Sequence, residues 1–251
     1  MLPEAGVIMI LNRKADILTE LQSDILRLQG FRTVNNGLLD ADLGVIKQAF
    51  PNASFPLSCI HEFITSQQEH RAATNGFLSG LLSSLLGVDG VLLWIGTSRY
   101  LFPPSLPAFN LSPERIIFID VSKQRDVHWV MEEALKCKAL TAVVAEVKEI
   151  SFIESRRFQL AAEQNKVTGF LLCHQTKKIS ATACASRWKV SPLPSETIDD
   201  LPGVGSPKWH VELMKVRNGK PQSWDIQWVD GKFVPIYKTV SLFTEQNQKA
   251  G

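Results

Sequence analysis

Four continuous apolar runs constrain this chain more than any other feature of its sequence: Val91–Ile95, Ile116–Ile119, Leu140–Ala145 and Thr168–Cys173. A strand with one wet face alternates apolar and polar residues, so unbroken runs of this length call for cover on both faces, as a parallel sheet receives. A fifth strand pattern, Cys59–Ile64, precedes them. Helical patterns fill the intervals over residues 71–82, 126–136 and 152–164. The second places Val127, Val130, Met131, Ala134 and Leu135 on one face, and the third opens with Ser151 and Glu154 at the spacing of a capping box. The fold class read from this alternation is α/β, a doubly wound, mainly parallel sheet.

The flanking regions read differently. From Asn12 to Gln29 apolar residues recur near helical spacing and Gly30 stands at the stop, which predicts an amphipathic leading helix. Residues 31–57 are loop-rich, with a short helix expected over 43–50. Beyond Ala181 alternation takes over: residues 208–216, 222–229 and 232–237 are predicted strands, joined by Asn218-Gly219 and Asp230-Gly231, and form a C-terminal antiparallel meander. Ser191–Pro207 reads as a loop, and polar residues 244–251 are expected to fray. The organisation is a lead-in over 1–55, an α/β core over 56–190, and a loop, meander and tail over 191–251.

Composition excludes several classes. With 45% hydrophobic and 21% charged residues the chain is that of an ordinary globular protein, and a net charge of +2 is too small to mark a nucleic-acid binder. The one apolar run near the N-terminus, Ala5–Leu11, is too short to span a bilayer and follows Glu4 rather than cations, so neither a membrane nor a signal peptide is expected. Met9 is an alternative start. Cys59, Cys137, Cys173 and Cys184 lack the spacing of a zinc or redox motif and read as buried reduced thiols of a cytoplasmic protein.

Ligands of doubly wound sheets bind beyond the carboxyl ends of the strands, and there the chain lacks the expected chemistry. A phosphate-binding loop needs glycines so that successive N–H groups can curl around phosphate, a lysine for the β/γ oxygens and a Ser/Thr hydroxyl for Mg²⁺. Between the first strand and its helix stand Thr65, Ser66, Gln67, Gln68, Glu69 and His70, with no glycine. Arg71 occupies the lysine position and Ala72 the hydroxyl position. After the next strand, Ser98 stands where an ATPase would carry a carboxylate to position water. Glu146, at a later strand end, is the one acid left where Mg²⁺ would be assisted, and Gln175 is a candidate remnant of a nucleotide-sensing glutamine. The plain alternative for Glu146 is a strand-end carboxylate that is solvated or caps a neighbouring backbone, and for Gln175 a polar loop residue. No bound cofactor is expected.

His61, His70, His128, His174 and His210 are dispersed, so no metal site is expected, and no G-x-S-x-G elbow exists for a nucleophile. One stretch is a candidate DNA or partner surface: Lys177, Lys178, Arg187 and Lys189 bracket Trp188, whose indole could stack on an exposed base. The alternative is a strand edge with Trp188 packed inward.

Several segments carry a family resemblance. They are Phe102-Pro103-Pro104-Ser105-Leu106 before Leu111-Ser112-Pro113-Glu114-Arg115, then residues 126–135, then Ser155-Arg156-Arg157-Phe158-Gln159-Leu160-Ala161-Ala162-Glu163. Val167-Thr168-Gly169, Ala185 to Val190, and Trp209 through Trp224 complete the set. In this order, over about Pro56 to Gly231, the chain resembles the ImuA family, RecA-like accessory proteins of damage-induced mutagenesis. The resemblance implies a RecA core without a working ATPase. It further implies a non-catalytic role in SOS-induced translesion synthesis beside an ImuB-like Y-family adaptor and an error-prone C-family DNA polymerase. RecA and weakly held single-stranded DNA are further expected contacts, and nucleoid association is expected under damage. Two rival readings remain open at this stage: an ATPase using Arg71 and Glu146 in an atypical site, and a damage-induced inhibitor of cell division on the same scaffold.

Overall fold

The computed structural model describes residues 17, 18, 20, 21, 24, 25, 42–98, 100–174, 180–195 and 205–237. The elements are β1 (Ile60–Ile64), α1 (Gln68–Leu86), β2 (Leu92–Gly96), β3 (Ile116–Asp120), α2 (Gln124–Ala134), β4 (Ala142–Val147), α3 (Phe152–Asn165) and β5 (Thr168–Cys173). They continue with β6 (Ser186–Leu193), β7 (Lys208–Val216), β8 (Gln222–Val229) and β9 (Lys232–Pro235). All nine strands join one sheet in the order β3-β2-β4-β5-β1-β6-β7-β8-β9. The strands from β3 to β6 in that order run parallel, and β7, β8 and β9 add antiparallel hairpins at one edge. The result is a mixed α/β fold, parallel through the core and antiparallel in its C-terminal strands.

The continuous apolar runs are explained by two separate clusters, one on each face. Phe63, Leu92, Trp94, Val144, Phe170, Leu172 and Trp188 point toward α1 with Phe77, Leu78, Leu81 and Leu82. The alternate strand positions Ile60, Leu93, Ile95, Val143, Ala145 and Leu171 pack with Val127 and Met131 of α2 and Phe158 and Ala162 of α3. Strand side chains alternate between faces, so each run must be apolar at every position to feed both clusters. The exception is β3, an edge strand whose Ile117 is 50% exposed.

Local signals hold where they have a mechanism. Ser151 accepts a hydrogen bond from the Glu154 backbone N–H while the Glu154 carboxylate takes the Ser151 N–H, the reciprocal box that starts α3. Asn218 and Asp230 adopt positive φ at the hairpin turns. The short helix expected over 43–50 is a 3₁₀ turn, Gly44–Ala49. The loop expected over 191–207 begins later than read, because β6 runs through Pro192 to Leu193 and pairs with β7. Of the leading helix, residues 17, 18, 20, 21, 24 and 25 are described and helical; its remaining positions, like the tail beyond 237, lie outside the described residues. Among the described residues no helix is long and apolar enough to cross a membrane.

Candidate functional site

The connection from β1 to α1 is shorter than the sequence pattern indicated. The helix begins at Gln68, so only Thr65, Ser66 and Gln67 remain as loop, and Gln68, Glu69, His70, Arg71 and Ala72 form its first turns. The helical spacing of the apolar residues starts at Ala73, where burial begins, so the polar first turn was invisible to a hydrophobic pattern. Gln67, the N-cap, makes no side-chain capping bond.

Around this turn the carboxyl ends of β1, β2, β4 and β5 bring several polar groups together. Register sets Ile95 beside Ala145, which brings Gly96 level with Glu146. A Cβ on Gly96 would stand 3.2 Å from Glu146 Oε2, so the glycine leaves room for the carboxyl. Glu146 is 3% exposed; its Oε1 accepts from Trp94 Nε1 at 2.9 Å, and its Oε2 has no partner among the described residues. Burial raises its pKa from 4.5 to about 7, against the lowering influence of the Trp94 hydrogen bond and the Arg71 charge. Near neutrality this acid is therefore about half protonated. Arg71 lays its guanidinium over the Tyr100 ring, 4.6 Å from the centroid, and its buried Nε has no partner among the described residues.

His174, just past β5, completes the group. Its Nδ1 lies 2.8 Å from Thr65 Oγ1, its buried Nε2 has no partner among the described residues, and Tyr100 meets its ring edge-on at 5.5 Å. Burial, with the Arg71 charge, lowers its pKa to about 4, so the imidazole is neutral at physiological pH. His70 Nδ1 is also buried without a partner. The assembled cluster holds one cation stacked on an aromatic ring, one carboxyl poised near neutrality and one neutral imidazole. Buried polar atoms of His70, Arg71, Glu146 and His174 that have no partner among the described residues gather here with two shifted titrating groups, which makes this region the candidate site.

The other expected positions fare unevenly. Ala72 and Ser98 are exposed. Gln175, Lys177 and Lys178 lie outside the described residues. Sequence reasoning missed Trp94, Tyr100 and Gln124. The Gln124 side chain ties the two strand ends together, donating to Thr97 Oγ1 at 3.3 Å and accepting from the Lys148 N–H at 2.9 Å. For Trp94 a signal existed: it shares strand parity with the apolar face of α1, as Glu146 does two residues beyond its partner Val144.

The candidate DNA surface needs correction. Trp188 is fully buried, packed near parallel to Phe63 with centroids 5.9 Å apart, and its Nε1 donates to Ser186 Oγ at 2.6 Å. It cannot stack on a base. Arg187 turns inward, donating from Nε to Glu62 Oε2 at 2.9 Å and from Nη2 to the Ser180 carbonyl. Its side chain is 11% exposed and Glu62 is 6% exposed. Lys189 alone reaches solvent among the described members, and it lies 3.4 Å from Glu212 Oε1. β6 is flanked by strands on both sides, so its alternating face belongs to the core.

No family model matches the sequence. The chain is similar to a solved structure, SulA from Pseudomonas aeruginosa, at 19% identity over 45% of this chain and 96% of that one, with a TM-score of 0.40. It is also similar to Protein ImuA from two strains of Caulobacter vibrioides, NA1000 / CB15N and ATCC 19089 / CIP 103742 / CB 15. Each is 29% identical over 194 residues, covering 72% of this chain and 80% of the relative. Sequence likeness of that extent supports assigning the chain to the ImuA family.

Proposed function

We propose that the chain is a non-catalytic accessory protein of SOS-induced translesion DNA synthesis, built on a RecA-like, doubly wound scaffold whose nucleotide chemistry has been removed. The observation that carries this is the coordinated change at the strand ends. A three-residue connection without glycine has too few N–H groups to encircle a phosphate. Ala72 has no hydroxyl for Mg²⁺, and Ser98 has no carboxylate to position water. Each loss alone is local; together they leave nothing for the others to serve.

A scaffold of this kind acts by binding. The partners implied by family membership are an ImuB-like Y-family adaptor, an error-prone C-family polymerase and RecA, met in the cytoplasm on damaged nucleoids. The test has two arms. Deletion of the gene should abolish most damage-induced mutation, and a tagged copy should copurify with the polymerase and adaptor after DNA damage. Calorimetry with Mg-ATP should give no saturable heat. Unchanged mutation frequency with no copurifying partner refutes the role, whereas saturable ATP binding with hydrolysis lost in Glu146→Gln restores the atypical ATPase.

A further inference from the structure

The leading helix presents an apolar face that the core does not use. Ile17, Leu18, Leu21 and Ile25 are each about half exposed, and none belongs to either hydrophobic cluster. At 100° per residue they sweep one arc of about 100°, with Glu20 and Asp24 along one border. Four aligned aliphatic side chains beside two acids form a docking face in search of a groove.

Such a groove runs along the first half of α1. Ala72, Gly76 and Ser79 form its floor; Tyr100, Phe102 and Phe109 form its wall, enclosing about 270 Å³. That volume falls below the roughly 300–1,000 Å³ of small-molecule sites, and suits anchoring side chains of a docked segment better than a free ligand. The small floor residues permit close approach. Phe102 is 67% and Tyr100 51% exposed, an aromatic rim with little reason to face water in an isolated molecule. Arg71, stacked on the lining residue Tyr100, puts a cation at one end of the groove. The acids bordering the helix face have the complementary charge.

Connectivity selects the occupant. The chain rejoins the core at Asp42, whose carboxylate accepts from Ser84 Oγ at 2.6 Å on the same helix α1. Ser84 is five residues from Ser79, about 8 Å along the helix axis. The intervening residues 26–41 can span at most roughly 50 Å when extended, several times what is needed. A tether of that length holds the helix near its own groove at an effective concentration of order millimolar, well above that of free copies. We propose that the leading helix docks in cis, seating Ile17, Leu18, Leu21 and Ile25 between α1 and the segment 100–109, with Glu20 and Asp24 toward Arg71. An amphipathic helix from a partner protein would then compete for the same groove.

The test places benzoylphenylalanine at position 102 of the full-length chain and maps its photoadducts by mass spectrometry. Adducts to residues between 12 and 29 of the same chain are expected, with the mass of a monomer and a yield unchanged on tenfold dilution. The yield should fall at least fivefold in Leu18→Ser/Leu21→Ser, exposed positions whose change leaves the core intact. Adducts joining two chains, adducts elsewhere only, or a yield indifferent to the double substitution would each overturn the proposal.

Discussion

Replacing Glu146 by glutamine should stabilise the protein, and should do so only above a defined pH. The glutamine amide keeps the shape and retains an oxygen to accept from Trp94 Nε1, but it never ionises. Burial lifts the Glu146 pKa from 4.5 in an unfolded chain to about 7 in the fold. A carboxyl raised in this way contributes its stabilisation fully below pH 4.5 and loses it as pH climbs through 7. The unfolded chain releases its proton first, so stability falls with pH across that window. At 1.36 kcal/mol per pKa unit the cost at pH 8 is ~3 kcal/mol. Neutral His61 and His174 act in the opposite direction. Burial lowers them to about 3 and about 4, so their contributions are present above pH 6.5 and are lost as pH falls toward those values. The wild-type pH profile therefore mixes two opposing slopes, and only the difference between wild type and Glu146→Gln isolates the carboxyl. Urea unfolding at half-unit intervals from pH 4.5 to 8.5 should give nearly coincident midpoints near pH 4.5, with the variant gaining up to about pH 7 and its advantage levelling off beyond. Parallel profiles would refute the burial argument. A variant less stable at pH 8 would show that ionised Glu146 is held by Arg71 more strongly than burial opposes it.

Other substitutions probe the packing that positions this site. Arg187→Ala should cost about 3–5 kcal/mol, because it removes the one cation paired with the buried Glu62 carboxylate and leaves it to the neutral Thr182 hydroxyl and Cys173 thiol; an unchanged thermal midpoint would contradict this. Gly80→Ala should destabilise by ~1–3 kcal/mol despite better helix propensity, since the new methyl would meet the Trp228 ring at 2.8 Å and the Phe233 ring at 2.9 Å; chemical denaturation gives the sign directly. Ser151→Ala should lose about 1 kcal/mol with the capping box of α3, read by the same method. Ellman's reagent should titrate one thiol rapidly in the native state, exposed Cys137, and all four after unfolding. Burial raises the thiol pKa of Cys59 and Cys173 well above the usual range and that of Cys184 to about 12.

The parallel core was legible in the sequence because its signal is redundant: each strand feeds two clusters, so every position repeats the same apolar instruction. β6 was not legible as a core strand, since Arg187 and Lys189 alternate with Ser186, Trp188 and Val190 as they would on a wet edge. What the alternation hides is a second use for polar groups. Ser186 Oγ takes the Trp188 N–H and lies 2.6 Å from Nδ1 of fully buried His61, whose Nε2 is 2.9 Å from the Pro56 carbonyl. Because only Nε2–H can satisfy a carbonyl, the imidazole must accept from Ser186 at Nδ1, and the whole chain of bonds has a single direction. Polar residues here specify the interior rather than the surface. The same ambiguity governs the candidate site. The missing glycines and the alanine at the hydroxyl position are visible as letters, but the loop's true length depends on where α1 begins, which its polar first turn conceals. Glu146 reads from sequence as the one surviving acid of a nucleotide site. Only its burial beside Trp94, opposite the space left by Gly96, turns it into a group whose pKa is lifted from 4.5 to about 7, which no single letter of the sequence discloses.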